Sequence, residues 1–188
     1  MPKDPARFSG VLLENRIVVW DLSQSRELFK AGFYGKPLGI PKPKDADFNA
    51  PLILDLVEGY YLLKCKKLIV TKRNSGDRID SKKLGKICEQ EYVDFKEKFM
   101  VYWELRKAGF VVSPGVKFGC DFAVYERGPG IDHAPFLVEV MKPHDLISAT
   151  SVVLSGRLAT TVRKQFIIGV ADREKDTVNF VSFDWWRA

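Results

Sequence analysis

The chain has 188 residues, 46% apolar and 29% charged, the balance of a soluble globular protein and not of a disordered or fibrous one. Thirty Lys and Arg against 24 Asp and Glu leave a net charge of +6, which favours polyanionic partners. Residues 1–10 lack the apolar run of a secretory leader, and the uncharged stretch 146–156 falls short of the roughly 18 residues that a membrane span needs.

Three widely spaced cysteines, Cys65, Cys88 and Cys120, form no CxxC pair or Cys/His cluster. The expectation is no structural metal, no cofactor and a reducing, cytoplasmic setting. The positive charge is local. Residues 64–86 carry nine basic side chains and two acidic ones, a balance of +7, so the rest of the chain is slightly negative. Such a concentration is either a footprint for a polyanion or a solvated lysine face.

Taken in chain order, residues 11–13 and 16–20 are β-prone runs about Glu14-Asn15 and predict a hairpin. Residues 23–31 predict a short helix capped by Ser23 and stopped by Gly32. Residues 34–51 hold four prolines and two glycines and predict an extended loop. Leu52, Leu56, Tyr60 and Leu63 form a helical stripe within 51–64, and 68–71 predict a strand. The polar stretch 73–83 then leads towards a boundary near 85–91, which divides the chain into domains at 1–88 and 89–188.

Beyond it, Tyr92, Phe95, Phe99, Tyr102 and Leu105 recur at three- and four-residue spacing and predict one amphipathic helix ending at Gly109. Strands are predicted at 110–112, 117–125, 136–141, 165–171 and 177–183, with a helix at 149–162. Helices interleaved with strands indicate an α/β (α+β) fold.

Four motifs carry a resemblance: 105–112 (LRKAGFVV), 115–125 (GVKFGCDFAVY), 133–138 (HAPFLV) and 157–164 (RLATTVRK). Their order, spacing and neighbours resemble the catalytic domain of the archaeal tRNA-splicing endonucleases. The first half is similar more loosely, through 28–35 (LFKAGFYG) and the unit at 52–71. The resemblance implies a small N-terminal α/β domain followed by a catalytic domain whose mixed β-sheet is flanked by helices. It also implies intron removal from precursor tRNA at bulge-helix-bulge motifs, without metal, leaving 2′,3′-cyclic phosphate and 5′-hydroxyl ends. The family's catalytic tyrosine, histidine and lysine fall on Tyr125, His133 and Lys164. Such a reaction needs a base near the 2′-oxygen, an acid near the leaving 5′-oxygen and positive charge at the phosphorane. Imidazoles exchange protons near neutrality, so histidine suits the acid and lysine the charge. A phenol is mostly protonated there, so the tyrosine orients the 2′-hydroxyl unless a cation activates it.

The resemblance further implies that Arg157 grips a flipped-out base, that Trp186 in the tail 185–187 supplies an opposing plane, and that the loop 172–176 docks on another subunit. The implied partners are precursor tRNA and either a structural subunit of the same family, in a heterotetramer, or a second copy of the chain. The loop 34–51 reads as an insertion in which Lys42 and Lys44 reach substrate phosphates. Two alternatives remain: a subunit that holds structured RNA without cutting it, and a metal-dependent nuclease of the restriction type using Asp121 and Glu139. The second is disfavoured by spacing, since Glu139 and Lys142 lie three apart and point to opposite faces of a strand.

Overall fold

The computed structural model describes residues 8–41, 43 and 45–183. The chain divides into two compact units between Phe95 and Lys96.

In the first unit, β1 (Phe8–Leu13) and β2 (Arg16–Val19) form the expected hairpin, with Glu14 at φ 50° in its turn. Helix α1 (Leu22–Lys30) is capped not by Ser23 but by Asp21, whose carboxylate accepts the Gln24 amide. A free carboxylate one residue before the first turn outcompetes a hydroxyl already inside it. The proline-rich stretch is not wholly loop, since Lys36–Pro37 forms a short strand, β3, against β4 (Leu52–Asp55). It sits at the sheet edge, where the missing proline donor costs nothing.

The apolar stripe from Leu52 hides two elements. Leu52 and Leu54 alternate into the core as β4, and helix α2 (Leu56–Lys64) begins only after Asp55. Asp55 and Glu58 form a reciprocal capping box that fixes this switch,. A Cβ at Gly59 inside α2 would lie 2.3 Å from Ile17 Cδ1, so any larger residue there would force the buried Ile17 side chain to move. Strand β5 (Leu68–Lys72) pairs parallel to β1 and antiparallel to β6 (Arg78–Ile79), which completes a six-stranded sheet in the order β3-β4-β2-β1-β5-β6. Helix α3 (Ser81–Glu91) follows, an element that the polarity of 73–91 concealed.

The long aromatic helix is shorter than its periodicity. Tyr92 ends α3 in an extended conformation and Asp94 takes φ 55°, so α4 runs Phe95–Lys107. The sheet of the second unit has the order β11-β10-β9-β8-β7: β7 (Val111–Pro114), β8 (Phe122–Tyr125), β9 (Phe136–Met141), β10 (Gln165–Asp172) and β11 (Thr177–Ser182). Only β9 and β10 are parallel neighbours, and the crossover between them is α5 (Ala149–Thr161). The expected strand over 117–125 is half that length, because Val116–Phe118 coil into a 3₁₀ turn and Gly119 takes φ 69°. Gly115 sits so close to Cys120 that any Cβ would fall 2.5 Å from its sulfur.

Successive residues on a strand face opposite ways. Ala123, Leu137, Phe166 and Ile168 therefore pack with Ala159 of α5, while Phe122 meets Tyr102 and Gly169 meets Val101, both from α4. The sheet thus has a helix on each face, in the α+β arrangement expected.

Candidate active site

Strand register assembles the site. Val124 of β8 is opposite Phe136 of β9, and Phe136 is beside Gln165 of β10. One step further along, Tyr125 and Lys164 flank Pro135 from either side, and Gln165 N–H donates to the Pro135 carbonyl at 2.8 Å. Neighbouring strands lie about 4.8 Å apart, so the Tyr125 and Lys164 backbones are about 10 Å apart, a span that two long side chains can close. His133 stands two residues before Pro135, at the same end of the sheet.

Each member is held by a different device. Tyr125 is half-buried and packs against the Ala123-Leu137-Phe166 core. His133 is exposed, but the next residue, Ala134, is buried in that core and anchors it. Lys164 leaves α5 through Arg163, which takes φ 55°, and its own amide closes the helix on the Ala159 carbonyl at 2.7 Å. The Lys164 ammonium donates to the Ala134 carbonyl and lies 5.2 Å from the centre of the Phe118 ring. Burial pulls its pKa below the usual lysine value, and the Asp132 carboxylate opposes that shift. One ammonium has three donors, so directions remain for an anion.

Asp132 escaped the sequence reading. Its carboxylate accepts the backbone amides of Glu126 and Arg127 on one oxygen, at 3.1 and 3.0 Å, and of Gly128 on the other, at 2.8 Å. Gly128 and Gly130 take φ 136° and 89° to permit this turn. The Asp132 side chain thus helps the Ile131 and Asp132 amides, which donate to the Gly128 carbonyl, to close the loop between Tyr125 and His133, and its charge acts on Lys164. The only signal in the sequence was an aspartate after Gly128-Pro129-Gly130.

Arg157 is exposed on α5. The helix ends at Thr161, so a two-turn phase does not carry from Arg157 to Lys164, and the structure shows no contact joining Arg157 to the trio. Lys42, Lys44 and Trp186 lie outside the described residues. In the loop after β10, Asp172 accepts the amides of Glu174 and Lys175, which holds its carboxyl below the usual range. Arg173 reaches Glu97 at 3.6 Å and Lys175 reaches Asp172 at 3.2 Å. On the same sheet, Asp121 accepts the Val140 amide and pairs with Lys98 at 2.7 Å. Burial, then the Asp121 charge, raises the pKa of Glu139. Among the described residues, no three His, Cys, Asp or Glu side chains converge as metal ligands.

Residues 95–180 match the family model for the catalytic C-terminal domain of tRNA intron endonucleases, and residues 8–84 match that for their N-terminal domain. The chain belongs to the tRNA intron endonuclease family. It is 41% identical to a tRNA-splicing endonuclease of Hyperthermus butylicus over 94% of this chain and 97% of that one. It is also 38% identical to a tRNA-splicing endonuclease of Sulfurisphaera tokodaii, with the same coverage of each chain. A tRNA-splicing endonuclease of Pyrobaculum islandicum is 39% identical over 95% of this chain and 98% of its own. Membership thus covers both units. No described helix is long and apolar enough to cross a membrane.

Proposed function

We propose that this chain excises introns from precursor tRNA by cleaving at bulge-helix-bulge motifs through metal-independent transesterification. The observation that carries the reading is the strand register that gathers Tyr125, His133-Ala134 and Lys164 at one end of a single sheet. In the reaction, the substrate's 2′-oxygen forms a bond to the adjacent phosphorus as the bond to the 5′-oxygen breaks. Tyr125 orients the 2′-hydroxyl, whose proton passes to solvent as the new bond forms, and His133 as imidazolium gives a proton to the departing 5′-oxygen. Lys164 offsets charge on the phosphorane, where a partly desolvated cation acts more strongly than in water. Its bond to the Ala134 carbonyl ties its position to that of His133 and supports joint action on one phosphate.

Arg157, as an exposed planar cation, suits stacking on an extruded base, with Trp186 as the opposing plane. Assembly proceeds through the loop 172–176 onto a structural subunit of the same family, in a heterotetramer. The three cysteines are free, which supports a cytoplasmic setting.

The test is cleavage of a bulge-helix-bulge RNA by the chain alone and with candidate subunits, in excess EDTA, with analysis of product ends. Cyclic phosphate and 5′-hydroxyl ends are expected. Loss of cleavage in EDTA transfers the reaction to the Asp121-Glu139 alternative, and binding without cleavage under every condition identifies a non-cutting subunit.

A further inference from the structure

The basic segment of the first unit is unaccounted for by the site above. All nine of its cations, from Lys64 to Lys86, are exposed, and none forms an ion pair with a carboxylate among the described residues. The segment's two acids are occupied locally. Asp77 accepts from Ser75 Oγ at 2.6 Å in the β5–β6 turn, and Asp80 caps α3 through the Lys83 amide at 2.7 Å.

The fold concentrates positive charge further. The nearby Lys72 side chain lowers the pKa of Lys83, a shift opposed by Asp77 and Asp80. Lys82 and Lys83 also occupy the first turn of α3, which contains no acid, although the helix dipole disfavours cations there. Lys72 also lines an open cleft of about 760 Å³, on which it, Arg73, Asn74 and Ser75 meet Leu12, Leu13 and Glu14. A protein pays for such an arrangement in self-repulsion, and an anion relieves it.

We propose that this face, centred on Lys72, Arg73 and Lys83, binds the phosphate backbone of the substrate RNA outside its cleavage motif. The inference rests on the function proposed above. The donor types, Lys and Arg with Asn74 and Ser75, are those that contact phosphate and sugar without reading bases. No large apolar side chain is exposed within residues 64–86. Residues 64–86 therefore supply neither the large exposed apolar side chains of a protein interface nor an exposed aromatic ring for base stacking, so backbone contact is the recognition that their cations favour.

The test compares the full chain with K72Q/R73Q/K83Q, and with a control, K30Q/K36Q/K107Q, that removes equal charge from exposed positions elsewhere. Probes are an intron-containing precursor tRNA and a short RNA bearing only the bulge-helix-bulge, each titrated across salt concentrations, with thermal melts to confirm folding. The site variant is expected to bind the precursor at least about tenfold more weakly at low salt. Its log-log salt slope should fall by roughly two to three, near 0.9 per lost phosphate contact, while the saturating rate on the short RNA stays unchanged. An unchanged affinity and slope, or an equal loss in the control, overturns the proposal. So does wild-type binding of polyglutamate that the same three substitutions abolish while precursor binding persists. If the site variant melts early, K82Q/K86Q with the same readouts replaces it. Should the wild type cut neither RNA yet show the expected slope difference, the cleavage reading fails and the phosphate site stands.

Discussion

The end of the second unit's sheet and the basic face of the first unit solve different problems with opposite means. At the sheet end a few polar groups are fixed by backbone hydrogen bonds, a buried alanine and one carboxylate that satisfies three amides. On the basic face, nine exposed cations have no carboxylate partner among the described residues. Chemistry at one phosphorus atom depends on position, and misplacement of about 1 Å costs on the order of 100-fold. Attraction to a charged polymer depends on charge density and tolerates imprecision. Changes at the sheet end should therefore appear in turnover, and changes on the basic face in affinity and its salt dependence.

The sharpest test of this division is His133→Ala. Turnover is expected to fall about 10²–10⁴-fold, while RNA affinity and salt slope stay as they were. Near-normal single-turnover cleavage would remove His133 from the mechanism.

Asp132 comes next. Asp132→Ala strands three amides and frees the loop between Tyr125 and His133, so turnover should drop roughly 100-fold with little change in RNA affinity. Asp132→Asn keeps one acceptor oxygen but removes the charge. That charge raises the Lys164 pKa against burial; without it the pKa falls further. The alkaline limb of the kcat/KM profile, where Lys164 loses its proton, should therefore move to lower pH. A limb that stays fixed, or moves up, means that another group sets it.

Arg157→Ala decides to which side of the comparison an exposed cation on α5 belongs. Stacking on a base predicts a loss of about ten-fold, within the roughly 1–3 kcal/mol range for one stacked base, that persists at high salt. A loss that vanishes as salt rises makes Arg157 a phosphate contact like those of the first unit.

The smallest effect is expected from Lys42→Ala with Lys44→Ala, which should weaken irregular substrates a few-fold more than regular ones and reduce the salt slope by about two at most. Equal affinities on both substrate types would leave the loop without a role in recognition. Substitution is cleaner than deletion of 38–48, because Phe48 in that stretch is buried edge-on against Phe29 and its carbonyl accepts from Arg26. Deletion would damage the core along with the lysines.

Much of this was legible in the chain itself, and the misses have physical causes. The hairpin at Glu14-Asn15 and β9 were readable because each is a β-prone run with clear ends, and α5 runs as expected from Ala149 to within one residue of the expected end. The stripe at 52–64 misled because Leu52 and Leu56, four apart, satisfy a helix although Leu52 belongs to a strand. The Asp55-x-x-Glu58 box that separates the two elements was present in the sequence. At 117–125 the composition was β-prone, but close packing at Gly115 and Cys120 selects a turn instead, a contact between residues that no local propensity encodes.

The sequence by itself determined the family, the two-part α+β organisation, the candidate trio and the concentration of charge in 64–86, because motif order and composition are properties of the chain alone. Only the tertiary structure decided how these become sites. It set the register that places Tyr125 and Lys164 on either side of Pro135, the turn whose amides Asp132 accepts, and the cleft that brings Lys72 and Arg73 beside Leu12, Leu13 and Glu14. The reason is common to all three. Each depends on which strands and turns become neighbours, and that choice is made by burial of the two apolar cores, not by the polar residues that the folded chain then brings together.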